Sequence, residues 1–104
     1  MEKYNVIIEP IAEEDLIEIL TYITTTLHET DIAKQIYFLI RTQILTLELF
    51  PFRYAHIIEE PYRTMGIRKI PVKNYIIFYF VDEEEKDVHV FRILYNRREW
   101  KNLI

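Results

Sequence analysis

The sequence contains no cysteine and a single glycine, Gly66. Without cysteine the protein can form no disulfide bond and no thiolate metal site, which fits a reducing compartment. Gly66 stands at the start of a predicted strand, where the missing Cβ atom suits a bulge or a close approach of two backbones. The three histidines, His28, His56 and His89, are scattered along the chain. We therefore expect no metal site and no other cofactor.

Long apolar runs and a targeting segment are also missing. The longest apolar run, Tyr75 to Val81, is far shorter than the roughly 20 residues that a transmembrane helix requires. The N-terminal residues 1–5 lack the basic segment and following apolar run that are typical of signal peptides. These features predict a cytoplasmic protein without a membrane partner.

What is present fits one folded domain over residues 1–104. Hydrophobic residues make up 50% of the chain and charged residues 29%, which provides both a core and a polar surface. A chain of this length buries roughly 65% of the surface that its unfolded form exposes. The protein is therefore expected to fold without a partner.

Charge is distributed unevenly along the chain. The formal net charge is -4, yet residues 1–50 carry 3 basic and 9 acidic side chains while residues 51–104 carry 10 basic and 8 acidic ones. Five of those 8 acids lie in the segment Asp82 to Asp87. The remaining basic residues of the second half form either a solvated surface or a surface for an anionic partner.

Hydrophobic periodicity predicts a strand followed by two helices. Tyr4, Val6 and Ile8 alternate with polar residues up to Pro10, and Pro10 is suited to the first position of a helix. We expect this helix over about residues 10 to 27, with fraying at residues 24–26, which are all threonine. A second helical stripe begins near residue 31 and ends before Phe50, because Phe50 precedes a proline. The short connection predicts an antiparallel helical hairpin.

The second half predicts three strands and a short terminal helix. The strands start at Gly66, at Tyr75 and at Val88, and the helix covers residues 96–103. The middle strand is apolar on both faces, which places it inside the sheet. Strict alternation in the last strand would put Val88, Val90, Arg92 and Leu94 on one face. The expected fold is α+β, a small mainly antiparallel sheet in the order β-α-α-β-β-β-α backed by the helical hairpin.

This arrangement resembles the RelE/ParE superfamily, the toxins of type II toxin-antitoxin systems. The residues that carry the resemblance are the segments 4–10, 66–70, 73–75 and 92–95, together with Ala12, Asp15 and Leu16. The resemblance implies a RelE/ParE-like fold, growth inhibition, and a cognate antitoxin that folds onto the toxin. It also implies one of two targets, DNA gyrase for ParE-like members or the ribosome with its messenger RNA for RelE-like and YoeB-like nucleases.

For a nuclease, the resemblance implies catalytic roles for Arg68, Lys73, Tyr95 and Arg97. Binding of the target or of nucleic acid is assigned to three further basic residues, Lys69, Arg92 and Arg98. We expect Arg68, Lys73, Tyr95 and Arg97 to converge on one concave patch opposite the helices.

The nuclease pattern is incomplete in this chain. Ile76 replaces the arginine that nuclease members carry in the third strand, and Tyr95 stands where YoeB-like enzymes carry a histidine. A tyrosine with an ordinary pKa near 10 is a poor base at neutral pH. Together with the isoelectric point of about 5.4, these departures favour inhibition of DNA gyrase. The alternatives are a ribosome-dependent mRNA endoribonuclease and a non-toxic remnant that still binds antitoxin.

Overall fold

A computed structural model describes residues 2–96 and 99–104, and two helices and four strands organise them. Their order is β1 (Asn5–Ile8), α1 (Pro10–Thr21), α2 (Thr30–Thr46), β2 (Arg68–Val72), β3 (Tyr75–Asp82) and β4 (Asp87–Tyr95). Neither helix combines the length and the apolar character that crossing a bilayer would require, as judged over the described residues.

The four strands form one mixed sheet in the order β1-β4-β3-β2. Strand β1 runs parallel to β4, while β4, β3 and β2 form an antiparallel meander. Because β1 ends at Ile8, it pairs only with the first half of β4, and the edge of the second half of β4 is open to α1. The expected α+β fold with a mainly antiparallel sheet and a helical hairpin is confirmed.

The helices pack on one face of the sheet and build the larger core. Helix α2 contributes Ala33, Ile36, Ile40 and Ile44, whose spacing of three or four residues forms one buried stripe. The sheet contributes the buried side chains Ile70, Val72, Ile77, Tyr79, Val88, Val90 and Ile93. Tyr79 is fully buried there, and its hydroxyl donates a 2.8 Å hydrogen bond to the carbonyl of Pro51.

A second, aromatic core covers the opposite face of the sheet. Phe78 and Leu94 are buried there with Ile57 and Ile67 from the long loop between α2 and β2. Trp100 closes this core, with its ring centroid 5.3 Å from that of Phe78. The predicted terminal helix over residues 96–103 is wrong in extent, because the described part contains only a 3-10 turn at Trp100–Asn102.

A β-bulge in β4 changes which side chains share a face. Phe78 pairs with Arg92 and Tyr79 with Val90, so Phe91 is an additional residue in β4. Beyond the bulge the alternation shifts by one residue. As a result Val90 belongs to the helix-side core while Leu94 belongs to the aromatic core. The expectation that Val88, Val90, Arg92 and Leu94 share one face was therefore wrong.

The end of α1 differs from the predicted fraying, because the chain continues in a π-helical turn, Tyr22–Thr26. The N–H of Leu27 donates to the carbonyl of Tyr22, five residues earlier, at 3.2 Å. The hydroxyls of Thr24 and Thr25 donate hydrogen bonds to the carbonyl of Thr21 at 3.1 and 2.6 Å. The threonine side chains thus satisfy a backbone carbonyl at the start of this wider turn.

Gly66 is required by backbone conformation and not by crowding. It has a φ of +75°, and a Cβ atom built there would meet nothing within 4 Å. It precedes β2, which begins at Arg68, and its N–H donates to the carbonyl of Arg63 at 3.0 Å. The predicted bulge or close approach at this position is replaced by a turn that needs a positive φ.

Candidate functional site

Arg68, the first of the predicted catalytic residues, anchors the loop that follows α2. It pairs with Tyr79 and therefore faces the helix side of the sheet. Its Nη1 atom donates to the carbonyl oxygens of Tyr54 and Phe52, and its guanidinium carbon lies 5.2 Å from the centre of the Phe52 ring. The guanidinium of Arg68 is therefore bonded to the loop that follows α2.

The two predicted lysines lie on different parts of the sheet. Lys69 faces the aromatic side, where its Nζ atom is 5.6 Å from the centre of the Trp100 ring. Lys73 is exposed in the turn between β2 and β3, with a φ of +55°. Arg97 and Arg98 lie outside the described residues.

Tyr95 lies at the end of β4, far from Arg68. It pairs with Tyr75, and the two ring centroids are 5.8 Å apart. Four residues along β3 separate Tyr75 from Tyr79, the partner of Arg68, which corresponds to about 13 Å. Arg68 and Tyr95 both face the helix side. The expected convergence of these residues on one patch opposite the helices was therefore wrong for this pair.

A groove of about 520 Å³ opens beside Tyr95. It lies between the end of α1, the π-helical turn, the start of β3 and the end of β4. We call it the tyrosine groove. Its polar and aromatic lining consists of Asp15, Glu18, Tyr22, Asn74, Tyr75 and Tyr95. Its apolar lining consists of Ile19, Leu27, Ile93 and Leu94. No described residue that lines it is basic, and two of the lining side chains, Asp15 and Glu18, are carboxylates.

Asp15 joins α1 to the open edge of β4. Its Oδ2 atom accepts hydrogen bonds from Nε of Arg92 at 2.8 Å and from the backbone N–H of Ile93 at 3.0 Å, and its Oδ1 atom accepts from Nη2 of Arg92 at 2.9 Å. The Nη1 atom of Arg92 donates to the carbonyl of Leu103 at 2.9 Å. Asp15 is only 7% exposed, so this is a buried, bidentate ion pair.

The ion pair fixes the charge of Arg92. Hydrogen bonding to Asp15 raises the pKa of the Arg92 guanidinium further above its usual range, and the negative charges of Asp15 and Glu18 contribute to the shift. Arg92 is therefore permanently charged, and its Nε and Nη2 donors are directed at Asp15. Its predicted role toward a target or nucleic acid would require these internal bonds to break.

Tyr95 and Tyr22 lie close enough to Tyr75 to affect the pKa of its phenol. Burial raises the pKa of Tyr75, and the neighbouring phenols of Tyr95 and Tyr22 raise it further, because a phenolate near other phenolates is disfavoured. Tyr75 is accordingly a neutral hydroxyl at physiological pH. Among the three tyrosines that line the groove, Tyr75 therefore contributes a hydroxyl and not a phenolate base.

None of the three histidines is among the residues that line this groove. The Nδ1 atom of His89 is 2.7 Å from Oε1 of Glu9, and the His89 ring stacks on Phe80 with 4.9 Å between ring centroids. His56 forms an isolated backbone bridge with Arg68. Within residues 2–96 and 99–104, no three His, Asp or Glu side chains are arranged to hold a metal ion.

Sequence reasoning missed the acidic side of the groove. Asp15 follows Ala12 by three residues and precedes Ile19 by four, so it stands in the buried stripe of α1. A carboxylate on the apolar stripe of a helix signals a buried partner. Glu18 and Tyr22 carried no comparable signal, because both are exposed at helical positions that surface residues commonly occupy.

Several solved structures share the fold of this chain. Among solved structures, the chain is similar to the chromosomal ParDE toxin-antitoxin system from P. aeruginosa, with a TM-score of 0.72 and 19% identity over 89% of this chain and 96% of that chain. It is also similar to the RelBE2 toxin-antitoxin complex from Mycobacterium tuberculosis, with a TM-score of 0.61 and 18% identity over 89% of this chain and 98% of that one.

The isolated RelE toxin of E. coli shares the fold at a TM-score of 0.57 and 16% identity, covering 96% of this chain and 92% of that chain. The β-α-α-β-β-β order is that of the fold that these three structures share. Among curated proteins, no sequence matches this chain significantly. The family model of the ParE toxin of the type II toxin-antitoxin system, parDE, matches residues 6–100. The chain therefore belongs to the ParE toxin family.

Proposed function

We propose that the protein inhibits growth by acting on DNA gyrase and is silenced by a cognate antitoxin. Membership of the ParE toxin family supports the gyrase target over the ribosome, and the toxin-antitoxin systems named for two similar structures support the antitoxin. The proposed target acts on chromosomal DNA, so the proposal places the protein in the cytoplasm.

The observation that carries the choice of target is the charge around Tyr95. Cleavage of RNA builds negative charge on a phosphorane, which nucleases stabilise with preorganised cations within hydrogen-bonding reach. The described lining of the groove beside Tyr95 instead contains no cation, and its uncompensated charge is that of Glu18, because Arg92 pairs with Asp15. A phosphate placed there would meet like charge.

The placement of the basic residues supports the same choice. Arg68 lies at the other end of the sheet and is bonded to loop carbonyls, and Arg92 is paired with Asp15. Ile76, at the position where nucleases carry an arginine, belongs to the aromatic core on the opposite face. Of the catalytic residues expected for a nuclease, only Lys73 and Tyr95 are described near one end of the sheet.

The target is tested with purified protein and purified gyrase. We expect the protein to inhibit ATP-dependent supercoiling of a relaxed plasmid in proportion to its concentration, and to leave messenger RNA intact on translating ribosomes. Tyr95→Phe keeps the aromatic ring and removes only the hydroxyl, so inhibition of gyrase should be retained within about twofold. Ribosome-dependent cuts within codons that Tyr95→Phe abolishes, with gyrase unaffected, would establish the nuclease alternative.

Toxicity itself is tested by induction in growing cells. Inhibition of gyrase should arrest growth, induce the DNA-damage response and change plasmid supercoiling before translation falls. Undisturbed growth at a protein level confirmed by immunoblot would identify a non-toxic remnant.

The proposed antitoxin is expected to cover an apolar stripe on the outer face of α2. Phe38 and Leu45 are 68% and 50% exposed, and their spacing of seven residues keeps them on one side of the helix. Leu49, in the turn that follows α2, is 41% exposed. Co-expression with the product of the adjacent gene should yield a stable complex. Phe38→Ser should weaken that complex at least tenfold, whereas the control Glu14→Gln, at an exposed position of α1, should change it by less than twofold.

A further inference from the structure

The tyrosine groove combines features that suit a positively charged guest. Among its lining residues Glu18 is exposed, Asp15 is buried, and Tyr22, Tyr75 and Tyr95 supply three aromatic side chains. Arg92 compensates one of the two carboxylates through the bidentate pair with Asp15. The described groups therefore leave one net negative charge, carried by Glu18, beside three aromatic rings.

We propose that the tyrosine groove binds the guanidinium group of an arginine presented by a partner polypeptide. The ring faces of tyrosine attract a cation that lies within about 6 Å of their centres. The rings of Tyr75 and Tyr95 are 5.8 Å apart between centroids, so they stand side by side in the wall of the groove. Glu18 supplies a carboxylate to which a guanidinium can donate two parallel hydrogen bonds.

The size and the walls of the groove fit this guest. Its volume is about 520 Å³, within the range of small-ligand sites. The apolar wall formed by Ile19, Leu27 and Leu94 matches the three methylene groups of an arginine stem. The side-chain amide of Asn74 adds a carbonyl acceptor at the sheet end of the groove. An apolar guest would leave Glu18 and Asn74 without bonds, and an anionic guest would be repelled by Glu18.

The π-helical turn is the element that forms this site. It extends the carboxyl end of α1 by a wider turn, and both Tyr22 at its start and Leu27 after it line the groove. An extra residue within a helix often marks a functional site, because it redirects side chains that a regular helix would place elsewhere. Here it directs Leu27, which follows the wider turn, to the groove, while Tyr22 lies seven residues after Asp15 on the same face of α1.

The test is an NMR titration of the full chain with two short capped peptides, Gly-Ser-Arg-Ser-Gly and the same sequence with citrulline in place of arginine. Citrulline has nearly the same shape and carries no charge. We expect the arginine peptide to shift the ring signals of Tyr22, Tyr75 and Tyr95 and to bind at least tenfold more tightly than the citrulline peptide. Equal binding of both peptides, or shifts confined to other residues, would overturn the proposal.

Two variants distinguish binding of the arginine peptide at the groove from non-specific attraction to acidic residues. Glu18→Gln should weaken binding of the arginine peptide at least fivefold, while Glu14→Gln, an exposed acid of the same helix that does not line the groove, should change it by less than twofold. Because Glu18 is exposed, both variants should keep the wild-type fold, which their spectra will show. Equal effects of the two variants would indicate non-specific attraction and contradict the proposal. The supercoiling assay is independent of this titration, so failure here leaves the gyrase proposal standing.

Discussion

At the scale of single residues, Asp15 connects the first helix to the last strand of the sheet. One carboxylate satisfies a guanidinium and the backbone N–H of Ile93 on the open edge of β4. It thereby joins the first helix to the last strand, and through Arg92 to the carbonyl of Leu103. A buried ion pair contributes little net stability, but removing one partner leaves an uncompensated charge.

Asp15→Asn should therefore destabilise the protein strongly. The amide cannot neutralise Arg92, and we expect the free energy of unfolding to fall by about 3 kcal/mol. Urea denaturation followed by circular dichroism measures this change. The control Glu14→Gln removes an exposed charge from the same helix and should stay within about 0.5 kcal/mol of wild type. Similar losses in both variants would show that helix charge, and not the buried pair, is responsible.

The buried phenol of Tyr79 should make the stability of the protein depend on pH in the alkaline range. Its burial raises the pKa of the phenol to about 12, while the positive charge of Arg68 opposes the shift. The unfolded chain releases the proton near pH 10, so the folded state binds it more tightly. The stability contributed by Tyr79 is complete below about pH 10 and is lost as the pH rises through about 12.

Comparison with Tyr79→Phe isolates this contribution, because the other tyrosines and the lysines titrate in both proteins. At pH 7 the variant should be less stable by about 1 kcal/mol, since it lacks the hydrogen bond to Pro51. The stability difference between the two proteins should shrink between about pH 10 and pH 12. A difference that stays constant over this interval would contradict the raised pKa.

At the scale of elements, local irregularities position the side chains. The bulge at Phe91 directs Leu94 to the aromatic core and Ile93 to the helix side. The π-helical turn at the end of α1 directs Leu27, the residue that follows it, to the groove. Each irregularity adds a residue to a regular element and so changes the direction of every side chain that follows.

The turn before β2 allows a test of one such element. Gly66→Ala should destabilise the protein by about 1 kcal/mol, because an alanine at a φ of +75° is strained while its methyl group meets no neighbour. Gly66→Asn should lose less than Gly66→Ala, since asparagine tolerates this conformation better. Urea denaturation of both variants makes the comparison. Equal stability of Gly66→Ala and wild type would show that the turn can adopt a negative φ.

At the scale of the whole molecule, the sheet is covered on both faces by different parts of the chain. The helical hairpin covers one face, and the long loop with the C-terminal residues 100–104 covers the other. Trp100 is the only tryptophan, and it contacts the rings of Phe78 and Tyr62. Its fluorescence therefore reports on whether the aromatic face is closed.

Trp100→Ala should lower the free energy of unfolding by about 2 kcal/mol, less than for a fully buried tryptophan, because Trp100 is only partly buried. The variant should also bind a dye that recognises exposed apolar surface. Lys101→Ala is the control, since its ion pair with Glu59 joins two half-exposed side chains and should contribute less than about 1 kcal/mol. A fully stable Trp100→Ala variant would show that the loop closes this face alone.

Sequence periodicity predicted the number and order of the main elements, because helices and strands repeat apolar residues at different intervals. Pro10 and Pro51 marked the beginning of α1 and the end of the α2 region, since proline restricts the backbone on its N-terminal side. The inner position of β3 followed from its two apolar faces. These features depend on short stretches of chain, which a sequence contains in full.

The site could not be predicted in the same way, because it depends on contacts between distant residues. Only the fold places Asp15 beside Arg92, 77 positions away in sequence, and only the bulge in β4 places Tyr95 opposite Tyr75. The charge pattern correctly located the basic residues in the second half, but it did not show that loop carbonyls and a buried carboxylate occupy Arg68 and Arg92. Composition and periodicity thus determined the architecture, whereas tertiary structure decided which charges remain available at its surface.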